Sequence, residues 1–198
     1  MVQLNNFNDD QRQLLIALPY RVGLWVSSSD SSGGDDADQA EMMALTTIVT
    51  GFAEDFLKSE FVQRLMEETV SHRAEWESWG ENIDEVPAEC TRAVDMLAEI
   101  LDRKELTSFK FTMMEIANAV AMAYREADDQ PGLGFRLQIY SRIVMNKLQA
   151  ILTGRQTRTL EELMNISESE RAAIDRLAQA LDLGKTRNQP PKSPAVVA

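Results

Sequence analysis

The sequence predicts an all-α fold, a single-domain bundle of about seven to eight helices. Apolar residues recur at a spacing of about 3.6 in every apolar run, and no stretch of useful length alternates as a β-strand does. At 198 residues the chain can bury a core without disulfides or metal sites. Its hydrophobic share of 44% and its charged share of 26% are typical of a globular protein.

Three helices are predicted in the first half of the chain. In the first of them, Pro19 disfavours helical backbone at the preceding residue, which predicts a break or a kink. A polar loop is expected over residues 27–38, because this stretch combines a glycine pair with a cluster of aspartates. Ser59 is a candidate N-cap for the third helix. The three apolar runs span residues 14–26, 42–56 and 61–79.

Four more helices are predicted in the second half. Pro87 suits the first turn of the fourth helix, and Thr107 or Ser108 can cap the fifth. Ser167 and Glu170 have the spacing of a capping box before the last helix. The apolar runs of these helices span residues 90–101, 109–124, 137–151 and 174–181.

Composition and charge limit the organisation and the partners of the chain. We expect a helical domain at 1–184 and a flexible tail at 185–198, where proline, lysine and polar residues dominate. The formal net charge is −12, and an acidic surface repels phosphates, so no nucleic-acid partner is expected. No apolar run is long enough for an integral membrane segment. The N-terminus lacks the pattern of a signal peptide, so we expect a cytoplasmic location.

The strongest candidate site is an acidic loop at residues 30–41. Counted from the first of these residues, side-chain oxygens occupy positions 1, 3, 7, 9 and 12, which are ligand positions of a helix–loop–helix calcium site. Hard cations prefer several oxygen ligands on a short segment, so the loop suggests a divalent cation, calcium or magnesium. The candidate ligands are Asp30, Asp35, Asp36, Asp38 and Glu41.

The match to a calcium loop is incomplete, and a structural interpretation of the same residues stays open. Asp35 stands where that loop needs glycine, and Gly34 offers no side-chain oxygen at the fifth position. In the structural interpretation the loop is solvated, Asp38 is the N-cap of the next helix, and Glu41 lies in its first turn. A second acidic turn at 128–134 could contribute to a cation site only if the two loops lie together.

The acidic turn resembles the motif of the TerB-like family of tellurite-resistance proteins, roughly Asp-Gly-x-apolar-x-x-x-Glu. An apolar helix leads into an Asp- and Gly-rich turn, Glu41 opens an apolar helix, and the helix pattern is similar over residues 14–153. The resemblance implies a fold with two related halves, an acidic metal-binding surface and a role in stress or tellurite response. It would give Asp30, Asp35 or Asp36, and Glu41 as counterparts. This chain departs from the motif in its longer turn, which lacks the apolar residue after the glycine.

The other chemically versatile residues do not suggest an enzyme active site. His72 lies between Glu68 and Glu75 on one predicted helix face, which resembles half of a di-iron site, but the chain has no second histidine. We interpret His72 as an exposed residue paired with glutamates. Cys90 is interpreted as a small core residue.

We therefore expect a noncatalytic protein. The leading hypothesis is a TerB-like protein that binds a divalent cation through its acidic loops. The alternative is a helical adaptor or scaffold that binds a protein partner through a helix face. The methionines, including the pairs Met42–Met43 and Met113–Met114, are interpreted as core residues because most of them lie on helical stripes.

Overall fold

The chain adopts an all-α fold in the computed structural model. The described residues contain six α-helices, four 3₁₀ turns and no β-strand, which confirms the predicted fold class. The helix predicted over residues 137–151 and the tail at 185–198 lie outside the described residues. The structure describes residues 3–29, 35–54, 59–124 and 168–183. The helices are α1 (Asp9–Ser27), α2 (Asp35–Glu54), α3 (Glu60–Ser71), α4 (Val86–Ala98), α5 (Arg103–Tyr124) and α6 (Glu168–Ala180).

Helix α1 is the central element of the described bundle and contacts each of the five other helices. Nearly every residue from Leu15 to Val26 is buried, so α1 is covered around most of its circumference rather than along one face. A Cβ at Gly23 would overlap Leu45 Cδ1 on α2 and would lie 3.3 Å from Val120 Cγ2 on α5. The missing side chain at Gly23 thus lets α1 pack closely against α2 and α5.

The predicted break at Pro19 is wrong, since α1 continues through this residue as one helix, and the alternative of a kink stays a prediction. Proline lacks the N–H that would bond to the Leu15 carbonyl, and its ring crowds the preceding turn. A buried side chain from α3 supports that turn, because Thr69 Oγ1 donates a hydrogen bond of 2.7 Å to the Ile16 carbonyl. Tertiary packing therefore overrides the local preference of the chain at Pro19.

Two predicted helix starts are confirmed. Ser59 is the N-cap of α3, and its Oγ accepts a hydrogen bond of 3.2 Å from the Val62 N–H. Pro87 lies in the first turn of α4, where its missing N–H leaves no helical hydrogen bond unmade.

The predicted cap of α5 is wrong. Thr107 and Ser108 lie inside the helix, which begins at Arg103. Asp102 caps it instead, because its Oδ1 accepts hydrogen bonds from the N–H groups of Lys104 and Glu105 at 2.8 and 2.9 Å. The first turn of α5 carries no apolar stripe, so the apolar pattern places the start of the helix too late.

The third predicted helix is shorter than its apolar run. Helix α3 ends at Ser71, and three 3₁₀ turns follow it within residues 73–85. Trp76 and Trp79 are buried in this segment, and both rings contact Tyr20 of α1. Tyr20 stacks on Trp76 with 4.5 Å between ring centroids and meets Trp79 edge-on at 6.2 Å. Aromatic packing on α1 therefore holds this segment together with the backbone hydrogen bonds of its 3₁₀ turns.

Candidate functional site

The predicted cation segment coincides with the start of α2. Asp30 lies outside the described residues, as do the side chains of the other four candidate ligands. Helix α2 begins at Asp35, so Asp38 is inside the helix and its predicted role as N-cap is wrong. Helical backbone from Asp35 also departs from a calcium loop, whose ligands come from a 12-residue loop between two helices.

The positions of these acidic residues agree with a structural role. Asp35, Asp36 and Asp38 lie in the first turn of α2, where carboxylates are stabilised by the partial positive charge of a helix N-terminus. Cation binding by this segment stays a prediction. The second acidic turn at 128–134 lies outside the described residues, and so does the predicted joint site of the two loops.

His72 terminates α3 instead of lying within a longer helix. Its Nδ1 is 2.8 Å from the Glu68 carbonyl oxygen and 3.8 Å from Glu68 Oε2. Because α3 ends at Ser71, Glu75 falls in the following 3₁₀ turn, so the predicted face shared by His72, Glu68 and Glu75 is wrong. Within the described ranges, no group of three or more histidine, cysteine or acidic residues is arranged to hold a metal ion.

Cys90 is a core residue, as predicted. Its side chain on α4 is fully buried. Burial, followed by the negative charge of Glu89, raises the pKa of the Cys90 thiol far above its usual range. The nucleophilic thiolate is therefore strongly disfavoured in the folded protein.

Arg21 of α1 forms a buried ion pair that the sequence does not predict. Its Nε donates to Glu89 Oε2 at 2.8 Å, and its Nη2 donates to Glu89 Oε1 at 3.2 Å. Nη1 donates to the carbonyls of Trp79 and Glu81, and Nη2 also donates to the Asn82 carbonyl at 3.1 Å. All five N–H groups of the guanidinium are thus engaged. Arg21 therefore fastens α1 to α4 and to the 3₁₀ segment, and its donors are not free for a ligand.

The exposed methionines Met42 and Met43 on α2 are the strongest candidate for an interaction site. Met42 is 43% exposed and Met43 is 67% exposed, while Met66 and Met113 are fully buried. The prediction that methionines fill the core is therefore confirmed for the buried pair and wrong for the exposed pair. Among the described residues, Ile100 is the other exposed large hydrophobic side chain. We call Met42 and Met43 the methionine face.

The methionine face is attached to the core through Tyr20. The Tyr20 hydroxyl donates to Met42 Sδ at 2.9 Å, while its ring stacks on buried Trp76. Tyr20 itself is almost completely buried, so it provides a fixed base beneath Met42. Met42 is therefore half-exposed, with its sulfur held by a buried aromatic residue.

Comparisons with known proteins do not assign the chain to a family. No family model, no curated protein and no solved structure matches it. In the part of the chain that the structure describes, no helix has the length and apolar character needed to cross a membrane.

Proposed function

We propose that the chain is a noncatalytic helical adaptor that binds a protein partner through the methionine face of α2. The observation that carries this proposal is the exposure of two adjacent methionines, 43% at Met42 and 67% at Met43. Methionine side chains are flexible and polarisable, so they adapt to the shape of a partner surface. Adaptable surfaces of this kind suit a module whose task is recognition.

The contacts of three residues that could serve in catalysis, Arg21, Cys90 and His72, also favour an adaptor over an enzyme. Arg21 uses all its donors within the fold. Cys90 is buried with a raised thiol pKa. His72 contacts the end of its own helix through Nδ1. Each of these residues has a structural partner that accounts for its position.

The methionine face can contribute substantial binding energy. Full burial of a methionine side chain is worth about 1.5–3 kcal/mol, and part of that energy is still available at half-exposed side chains. A few well-packed apolar residues commonly dominate an interface. Met42 and Met43 together are therefore expected to act as a hot spot.

Affinity measurements on variants test this proposal. The partner would be co-purified with the full chain, isolated, and titrated against the wild type and against M42Q/M43Q. We expect the double variant to raise Kd by at least about tenfold, a loss of about 1.4 kcal/mol. I100Q is the matched control, because Ile100 is 44% exposed but lies after the end of α4.

The control variant should bind as the wild type does. Unchanged affinity in M42Q/M43Q would contradict the proposal. The TerB-like, cation-binding function stays a second hypothesis that is based on the residue pattern at 30–41, and a cation titration distinguishes it from the adaptor.

A further inference from the structure

Exposed acidic side chains run from the last turns of α3 through the segment between α3 and α4. Residues 67–85 carry seven acidic side chains, and Arg73 is their single arginine or lysine. All seven carboxylate side chains are exposed. We call this surface the acidic belt; its members are Glu67, Glu68, Glu75, Glu77, Glu81, Asp84 and Glu85.

The acidic belt adjoins the methionine face across one tyrosine. Trp76 lies between the belt residues Glu75 and Glu77 in the chain, and its buried ring stacks on Tyr20 at 4.5 Å between centroids. The hydroxyl of the same Tyr20 donates to Met42 Sδ at 2.9 Å. Tyr20 therefore contacts both Met42 and Trp76, and it brings the backbone at Glu75 and Glu77 close to Met42.

Acidic residues also precede the methionine face on its own helix. The first two turns of α2 contain Asp35, Asp36, Asp38 and Glu41, directly before Met42. Acidic residues therefore precede the methionines in the sequence of α2, and the carboxylates of the belt are exposed. A partner must supply apolar side chains for the methionines and positive charge for the surrounding carboxylates.

We propose that the occupant of the methionine face is a basic amphipathic helix of a separate protein, an inference that rests on the proposed function. Its apolar stripe would contact Met42 and Met43, and its lysines and arginines would lie against the acidic belt. The apolar stripe of an amphipathic helix can cover the exposed methionines, while opposite charges speed association and align the two partners. Binding should weaken as salt rises, because exposed charge pairs are screened.

A second copy of this chain fits the surface less well. In a symmetric dimer each patch meets its own copy, so the two acidic belts would be brought together. The chain does contain one basic and apolar stretch: residues 135–158 hold five arginines and lysines and no acidic residue. Occupation by that stretch would contradict a separate partner, and the experiment distinguishes the two.

Synthetic peptides provide the test on the full-length protein. The probe is a peptide of about 18 residues, five helical turns, with leucines on one face and lysines on the other. The first control replaces every lysine by glutamine. The second control peptide has the same composition in a scrambled order, so that its leucines no longer form one apolar face. Chemical shifts of ¹³C-labelled methionine methyl groups report where each peptide binds.

The lysine peptide should shift the methyl signals of Met42 and Met43. The signals of Met66 and Met113 should not move, because both side chains are fully buried. The scrambled peptide should leave the methionine face unchanged, and the neutral peptide should bind more weakly than the lysine peptide.

Charge variants test the acidic belt. E75Q/E77Q removes two belt carboxylates beside Trp76 and should raise Kd for the lysine peptide about fivefold. D95N/E99Q removes the same charge from exposed positions on and just after α4, outside the belt, and should change Kd by less than about twofold. Equal weakening by the two variants would show only a general effect of net charge and would overturn the proposal.

The remaining outcomes are also decisive. Equal affinity for the neutral peptide would overturn the basic partner but leave the methionine face as a docking surface, so the proposed function would stand. Equal shifts with the scrambled peptide, or no shift at Met42 and Met43, would overturn the inference. If the lysine peptide binds only to the variant R136Q/R142Q/K147Q, residues 135–158 occupy the methionine face in the wild type. That result would overturn the proposal of a separate partner.

Discussion

Arg21 on α1 and Glu89 on α4 form a bidentate ion pair, with Nε to Oε2 at 2.8 Å and Nη2 to Oε1 at 3.2 Å. Their side chains are only 9% and 12% exposed. The same guanidinium holds three carbonyls of the segment between α3 and α4. The pair therefore sets the position of the segment that carries Trp76, the aromatic residue beneath the methionine face.

Removing one member of this pair should destabilise the fold strongly. R21M leaves buried Glu89 with only the longer, 3.9 Å contact to Arg92 and removes the donor from three carbonyls, so we expect a loss of about 3–5 kcal/mol in the free energy of unfolding. R64M is the matched control, because the Arg64–Glu60 pair is also 2.8 Å long but is about half exposed. R64M should lower the free energy of unfolding, measured by urea denaturation, by less than about 1 kcal/mol. Similar losses in R21M and R64M would contradict the structural role of Arg21.

The two buried tryptophans of the 3₁₀ segment should differ in their response to phenylalanine. Trp76 Nε1 donates to the Thr69 carbonyl at 3.0 Å, in the last turn of α3, whereas Trp79 Nε1 is buried without a partner in the described part of the chain. W76F leaves the Thr69 carbonyl without its donor, whereas W79F removes an indole N–H that has no acceptor among the described residues. We expect W76F to lose about 1–3 kcal/mol more stability than W79F. A larger loss in W79F would contradict these contacts.

Cys90 should make the fold sensitive to alkaline pH. Its thiol stays protonated in the folded state because burial raises its pKa, while an unfolded thiol ionises near pH 8.5. The stabilisation is fully present below that pH and declines above it, since ionisation then favours the unfolded state. Between about pH 7.5 and 9.5 the wild type should lose about 1.4 kcal/mol more than C90A in urea titrations. Parallel losses would show that the thiol ionises equally in both states.

A cation titration tests the second functional hypothesis. If the carboxylates at 30–41 bind a divalent ion, millimolar calcium or magnesium should raise Tm more than a monovalent salt of equal ionic strength. D30N/E41Q should abolish the divalent-specific part and retain the response to monovalent salt. Equal responses of the wild type to both kinds of salt would leave this segment as a solvated helix start.

The fold class follows from the sequence because burial of one face requires an apolar residue about every 3.6 positions. Predictions from local sequence fail where a residue far away in the chain determines the local structure. Pro19 predicts an interruption, yet Thr69, far along the chain on α3, bonds to the Ile16 carbonyl within the same turn. The start of α5 depends on Asp102, which accepts hydrogen bonds from the first turn of the helix. An acidic residue is a common N-cap, but the apolar stripe begins several residues later, so the stripe alone predicts too late a start.

The candidate site was less predictable. Met42 lies three residues before buried Leu45 and fits a core stripe, but its side chain is 43% exposed, and only tertiary packing determines that exposure. Arg21 stands out as a charge in an apolar stretch. Its partner Glu89 is separated from it by 68 positions, however, and no local pattern connects them.

Oxidative footprinting of the isolated complex tests the central claim, that Met42 and Met43 bind the partner. In the free protein, dilute hydrogen peroxide should oxidise both residues well before buried Met66 and Met113. Mass spectrometry of the complex should show Met42 and Met43 protected, with unchanged slow oxidation of the buried pair. Equal oxidation of the methionine face in the free and bound protein would contradict the account.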